Sequence, residues 1–241
     1  MISFIVPYKD LLLSSNKFCR EKWVVYEGLE MMKKLLDEHP HCEVIIVDQG
    51  STDGIEDLVK SYKIFTYLYQ EAVDDCIINV SKALNLGYFK AKNDIVASTC
   101  LDFRFSNISL FVGTIVILFR MFDNIIVRPH LMKIDENGEV IKPFWYCPLV
   151  ILKKHLIEIG GLDERFKDWG QEYDDLGFRL VNKDLLEIRL PFVGWVHLWH
   201  PTTFEDESRA KYNEGPDGDV KYKLIRDNLD NNSKNLVNSY W

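Results

Sequence analysis

Several things are scarce in these 241 residues, and each scarcity excludes something. The five cysteines (Cys19, Cys42, Cys76, Cys100, Cys147) are odd in number and widely scattered, with no Cys-x-x-Cys pair. A disulfide framework or a structural zinc site needs closely spaced cysteines, so free thiols in a reducing compartment are expected. Positive charge is in deficit: 29 Lys and Arg face 37 Asp and Glu, a net charge of −8. No basic stripe interleaved with aromatics appears, so nucleic acid is not an expected partner. Long hydrophobic runs are missing too. The most apolar stretch, Ile108 to Phe119, is about half the length that crosses a bilayer, so no transmembrane segment is expected. The apolar start, Met1 to Pro7, lacks a basic n-region and a small-residue cleavage site. It reads as a strand, not a signal peptide, and a cytoplasmic protein is expected.

What is present is 47% hydrophobic residues, enough for the core of one large α/β domain. Ser3 to Val6 is β-rich and stopped by Pro7. Val25, Leu29, Met32 and Leu36 repeat at helical spacing. Glu43 to Asp48 is a second strand, ending in the polar turn Gln49-Gly50-Ser51-Thr52-Asp53-Gly54. A helix over about 55–62 and a strand near 65–69 follow. Strands that are apolar almost throughout, alternating with helices, indicate a parallel sheet covered on both faces. Ligands of such sheets lie beyond the carboxyl ends of the strands, where Pro7, Tyr8 and Asp48 fall. The plain alternative for Asp48 is a turn residue satisfying its own backbone.

Farther on, Val80, Ala83, Leu84, Gly87 and Ala91 form one face of a helix. A mid-helix glycine costs about 1 kcal/mol against alanine, so close packing against a neighbour is the expected reason for Gly87. Lys82, Asn85 and Phe89 share the other side, placed to reach a ligand or simply solvated. Asp94 to Leu101 is a buried strand that delivers Asp102, followed by Phe103 and Arg104. Leu110 to Phe122 reads as a buried helix, and 124–127 and 133–134 as two strands. The stretch 160–180 pairs a two-glycine turn with Trp169-Gly170 and an acidic helix start. Tyr173, Leu176 and Leu180 make an apolar face, and Glu172, Asp175 and Arg179 another. Carboxylates beside an aromatic suit a sugar, the ring stacking and the carboxylates taking hydroxyl protons. Acidic residues also favour a helix start through the macrodipole alone. Residues 185–198 read as a strand or hairpin carrying His197, with His200 just beyond. Residues i and i+3 of a strand point to opposite faces, so only one can serve a site.

In order and spacing, Ser3–Lys9, Val47–Gly54, Lys82–Gly87 and Leu101-Asp102 resemble the inverting family 2 glycosyltransferases of the GT-A fold. Residues 160–180 with 196–201 resemble the acceptor half shared with galactosyltransferase and chondroitin-polymerase-like enzymes. The resemblance implies a mixed, mostly parallel sheet flanked by helices. It also implies one catalytic domain over 1–201, with a nucleotide-sugar half (1–104) and an acceptor half (105–201), then a polar tail or lid over 202–241. It implies a nucleotide-sugar donor, usually a UDP-sugar, and a glycan or polysaccharide acceptor, as in polysaccharide biosynthesis. Asp48 would bond the nucleobase, with Pro7, Tyr8 and Asp53 shaping that pocket. Lys82 and Asn85 would lie near the diphosphate or donor sugar. Asp102 would be the first acid of the Asp-x-Asp element, and His197 a late ligand of Mn2+ or Mg2+. Trp169, Gly170 and Tyr173 would meet the acceptor.

Two positions depart from the pattern. Arg104 stands where a second carboxylate is usual, and a cation cannot ligate a metal. Either Asp102, His197 and the diphosphate hold the ion, or Arg104 pairs with the diphosphate in its stead. Tyr173 replaces the usual aspartate of a Glu-Asp pair, leaving Glu172, Asp174 or Asp175 as the expected base. The rival readings are a non-catalytic sugar- or nucleotide-binding homologue and a nucleotidyltransferase. The latter needs a glycine-rich basic loop after the first strand, which Pro7-Tyr8-Lys9-Asp10 does not supply.

Overall fold

The computed structural model describes residues 1–10, 22–72, 78–135, 137–144, 148–166 and 171–198. The first strand, β1 (Ile2–Tyr8), is followed by α1 (Lys22–Glu38), β2 (Glu43–Asp48), α2 (Ile55–Tyr62) and β3 (Thr66–Tyr69). Next come α3 (Val80–Lys90), β4 (Ile95–Ser98), β5 (Phe103–Phe105) and α4 (Ile108–Met121). The second half holds β6 (Ile125–Ile134), β7 (Val140–Phe144), β8 (Val150–Leu152), α5 (Lys153–Ile159), α6 (Glu172–Val181) and β9 (Leu186–His197).

One mixed sheet carries both halves, in the order β3-β2-β1-β4-β8-β6-β9-β5, with β7 paired to β6. The first four strands are parallel to one another. Antiparallel β8 joins them to the second half, where β6 and β9 run parallel. Burial on both faces explains the unbroken apolar strands. Phe4, Val6, Val44 and Ile46 pack on one side with Leu29 and Met32 of α1 and Phe111 and Ile115 of α4. Their neighbours Ile5, Ile45 and Val47 pack on the other with α3, α5 and α6. Period-2 alternation assigns each strand residue to one layer, and both layers are buried.

Gly87 is a close-approach glycine, as its place in the sequence requires. A Cβ there would lie 2.1 Å from Ile5 Cγ2 and 3.3 Å from Val47 Cγ2. The second half departs more from the sequence pattern. The two strands expected over 124–127 and 133–134 are one continuous β6. Arg128, Pro129 and His130 interrupt its apolar run, and Pro129 sits where the register with β9 shifts; proline, which cannot donate to a ladder, is tolerated at such irregularities. β4 ends at Ser98, so Asp102 lies in a turn between β4 and β5. Helix α5 has only seven residues, too short for a periodic signal, and has no counterpart in the sequence reading.

Candidate functional site

At the carboxyl edge of the parallel strands, Tyr8, Asp48 and Tyr69 end three neighbouring strands in register. Asp48 is buried. Its Oδ1 accepts from the Ser51 backbone N–H at 3.0 Å, and its Oδ2 accepts from the Tyr67 hydroxyl at 2.6 Å. The turn role of Asp48 is therefore real, and Tyr67 fixes the other oxygen. Burial, followed by the bond to Asp48, pushes the Tyr67 phenol well above its ordinary range. The Tyr8 hydroxyl donates to Asp53 Oδ2. Asp53 Oδ1 accepts from the Ile55 N–H at 3.1 Å, at the start of α2. Asp10 Oδ2 accepts from the Thr52 N–H and hydroxyl at 2.5 and 2.8 Å, and Lys9 Nζ donates to Gly50 O at 2.6 Å. Pro7, Tyr8, Asp48 and Asp53 are thus brought together, laced by the loops around them.

A chain of amides leads from this edge to the turn at 162–165. Gln49 Nε2 donates to Gln70 Oε1 at 2.5 Å and to Asn79 O at 3.1 Å, while the Asn79 N–H donates to Gln49 Oε1 at 2.8 Å. The Asn79 side chain caps α3 by accepting from the Lys82 N–H at 2.8 Å. Its Nδ2 donates to Glu164 O at 2.9 Å. Asn85, fully buried, exchanges two 2.9 Å bonds with the backbone of Leu162, and its Nδ2 reaches Glu164 Oε1 at 3.0 Å. The solvated reading of Asn85 does not hold: this amide straps the turn after Gly160-Gly161 onto α3. Lys82 is half-buried on the same face.

Asp102 and His197 meet although 95 positions separate them. Antiparallel pairing of β5 with β9 puts Phe103 opposite His197, and the Leu198 N–H donates to Asp102 O at 2.8 Å. His197 Nε2 lies 3.6 Å from Asp102 Oδ2, and its ring rests on Phe103, with centroids 5.5 Å apart. Two donors each about 2.1 Å from one cation stand roughly 3–4 Å apart, so an oxygen and an imidazole at this spacing fit Mn2+ or Mg2+. Among the described residues no cluster of three or more His, Cys, Asp or Glu could hold a metal. The remaining ligands would be substrate and water. Arg104 is turned elsewhere: its Nη1 donates to Leu101 O and Phe103 O at 3.1 and 3.0 Å, and its Nη2 lies 3.4 Å from Glu27 Oε2 on α1.

The carboxylates of α6 part company. Glu172 opens the helix, 4% exposed, after Gln171 in the left-handed region at φ 68°. Asp175 is withdrawn from solvent altogether and paired with Arg179 at 2.8 Å, and Arg179 Nη1 also reaches Ile159 O at 3.3 Å. Asp174 is half-buried, and burial pushes its carboxyl up against the opposing pull of Arg128. The Tyr173 ring belongs to the apolar cluster with Leu176 and Leu180. Its carbonyl accepts from Arg128 Nη2 at 3.1 Å. Trp169, Gly170 and His200 lie outside the described residues. The residues to which the sequence reading gave no individual role are Tyr67, Gln49, Asn79 and Glu164. Only Asn79 carried a local signal, as an asparagine directly before an apolar helix start.

Comparison with known proteins agrees with this architecture. The family model for glycosyl transferase family 2 matches residues 24–102, from α1 to Asp102. Among solved structures, the mannosyltransferase PcManGT from Pyrobaculum calidifontis, in complex with GDP-Man and Mn2+, superposes with a TM-score of 0.58 at 16% identity, over 81% of this chain and 56% of that one. S. aureus TarS 1–349 in complex with UDP gives 0.61 at 15% identity, over 83% and 61%. The chain therefore spans about three-fifths of the length of these structures. No curated protein matches the sequence. The fold is the GT-A fold of nucleotide-sugar glycosyltransferases. Among the described residues no helix is long and apolar enough to cross a membrane.

Proposed function

We propose that this protein is a glycosyltransferase that moves a sugar from a nucleoside-diphosphate donor to a hydroxyl of a glycan or polysaccharide acceptor. The observation that carries the reading is the Asp102–His197 pair, 3.6 Å apart, assembled from two distant segments at the edge of the sheet where Asp48 also ends. Asp48, held by Tyr67 and Ser51, would accept a base N–H. UDP-sugars are the first donors to try, and GDP-sugars the second, since TarS was solved with UDP and the mannosyltransferase with GDP-Man.

Asp102 and His197 would hold Mn2+ or Mg2+, which would supply positive charge to the leaving diphosphate. Lys82, on α3, would lie near the diphosphate or the donor sugar. Arg104, occupied by two carbonyls and Glu27, is not needed for it. Glu172 takes the acceptor hydroxyl's proton as that oxygen attacks the anomeric carbon. A single displacement from the opposite face inverts that centre. A positioned carboxylate base contributes about 10^2 to 10^4 in rate. Asp175, already neutralised by Arg179, holds the helix that presents Glu172.

A thermal-shift series with UDP and GDP, with and without Mn2+, reads base and metal together. A ligand at 100 times its Kd stabilises the folded state by about 2.7 kcal/mol. Glu172→Gln is expected to lower kcat about 10^2- to 10^4-fold and leave nucleotide affinity unchanged; unaltered turnover removes Glu172 from the chemistry. The rival reading, a non-catalytic binder, draws on Arg104 in place of a carboxylate. It is separated by donor hydrolysis: a wild-type protein that binds nucleotide yet frees no nucleoside diphosphate from any sugar donor is a binder.

A further inference from the structure

Between α3 and the turn at 162–165 lies a pair of opposite charges that face each other without bonding. The turn is fixed from within. Asp163, its carboxylate fully buried, takes a two-point bond from Arg165, Nε to Oδ1 at 2.9 Å and Nη2 to Oδ2 at 2.7 Å, and also accepts from the Arg165 N–H at 2.9 Å. The turn is fixed from outside by Asn79 at Glu164 O and by Asn85 at both backbone groups of Leu162. These contacts leave the Glu164 side chain against α3, where Oε1 accepts from Asn85 Nδ2 at 3.0 Å. Asn79, Lys82 and Asn85 are spaced three apart and so share one face of the helix. Among the described residues neither Glu164 nor Lys82 enters an ion pair, and Glu164 Oε2 accepts no hydrogen bond. Burial pushes the Glu164 carboxyl up, opposed by Asn85 and by the nearby Lys82 charge.

A half-buried carboxylate with one oxygen anchored and the other open, opposite an ammonium held on the same rigid face, is an arrangement for a polyol. The oxygen accepts from one hydroxyl while the ammonium donates to another. A carboxylate here is poorly suited to the diphosphate itself, whose charge it would repel. We propose that Glu164 is a binding residue for the donor's sugar ring, and with Lys82 selects among sugars by the position of their hydroxyls. This rests on the donor reading above, and it extends that reading to a residue outside the strand edge and the Asp102–His197 corner.

Isothermal titration of the intact protein in Mn2+ with UDP, GDP, UDP-N-acetylglucosamine and GDP-mannose tests it. Glu164→Gln keeps an acceptor for Asn85 and removes the charge; Glu164→Asp keeps the charge and withdraws it by one methylene. Both variants are expected to bind the sugar-free nucleoside diphosphate as wild type does, and to bind the corresponding nucleotide sugar about tenfold more weakly. Equal affinity for the sugar form in wild type and both variants overturns the proposal. So does an equal loss for nucleotide and nucleotide sugar, which marks Glu164 as a strap on the fold. A wild-type protein that binds none of the four ligands refutes the donor reading itself, a result distinct from either.

Discussion

Two residues that share a helix face show how geometry divides labour among carboxylates. Asp175 and Arg179 are both buried and bonded at 2.8 Å. Breaking one side of a buried pair strands the other charge and costs about 3–5 kcal/mol. Asp175→Asn is therefore expected to lower stability by about 3 kcal/mol in urea denaturation, with catalysis per folded molecule largely kept. Glu172→Gln is expected to do the reverse. His197 is the second informative residue. His197→Ala should abolish the extra thermal stabilisation that Mn2+ gives a bound nucleoside diphosphate, while the shift produced in EDTA remains. If the Mn2+ increment survives, the ion is held elsewhere.

Helix α3 is the element that joins the two halves. Its buried face packs on β1 and β2 through Gly87, and its amides hold the 162–165 turn. Each buried polar group left without its partner costs about 1–3 kcal/mol. Asn85→Ala strands the N–H and the carbonyl of Leu162, so a loss of about 2–6 kcal/mol is expected. Because the turn leads into 167–170 and α6, sugar transfer by Asn85→Ala should fall by more than nucleotide binding does. Equal losses would show that the strap serves stability alone. Helical periodicity marked out α3 and its glycine, but a period of 3.6 reads only one contact surface. It gave no sign that the polar face of α3 is buried as well, against a turn nearly eighty positions away.

Over the molecule as a whole, the titrating carboxylates pull stability in opposite directions with pH. Burial tends to raise the Glu187 carboxyl, but Arg189 and Arg128 outweigh it and hold it low. Its contribution is present above the unfolded-state value of about 4.3 and is lost as pH falls through the folded value. Asp174 and Glu164 are raised. Their folded forms favour the proton, so the stability they contribute at low pH is lost as pH rises through their folded values. Urea midpoints should show this: Glu187→Gln weakens the acid limb of the wild-type profile, and Asp174→Asn gains stability at pH 7 and loses that gain toward pH 4. An Asp174→Asn gain that is the same at both pH values would show that the carboxyl is not held up by burial.

The chain alone determined the parallel half of the sheet. Strands buried on both faces must be apolar at nearly every position, and the helices between them must repeat every 3.6 residues. Local composition therefore marks β1, β2, α1, α2 and α3 directly, together with the turn acids Asp48 and Asp102 that end up at the strand tips. Tertiary structure alone decided which polar residues meet. Asp102 finds His197 only because β5 and β9 pair, Asp48 finds Tyr67 only because β2 and β3 pair, and Glu164 finds Asn85 only because a turn folds onto α3. These contacts join segments separated by 19 to 95 positions. Their partners are held by the sheet's register and the packing of its layers, and no periodicity within one segment records where another will lie.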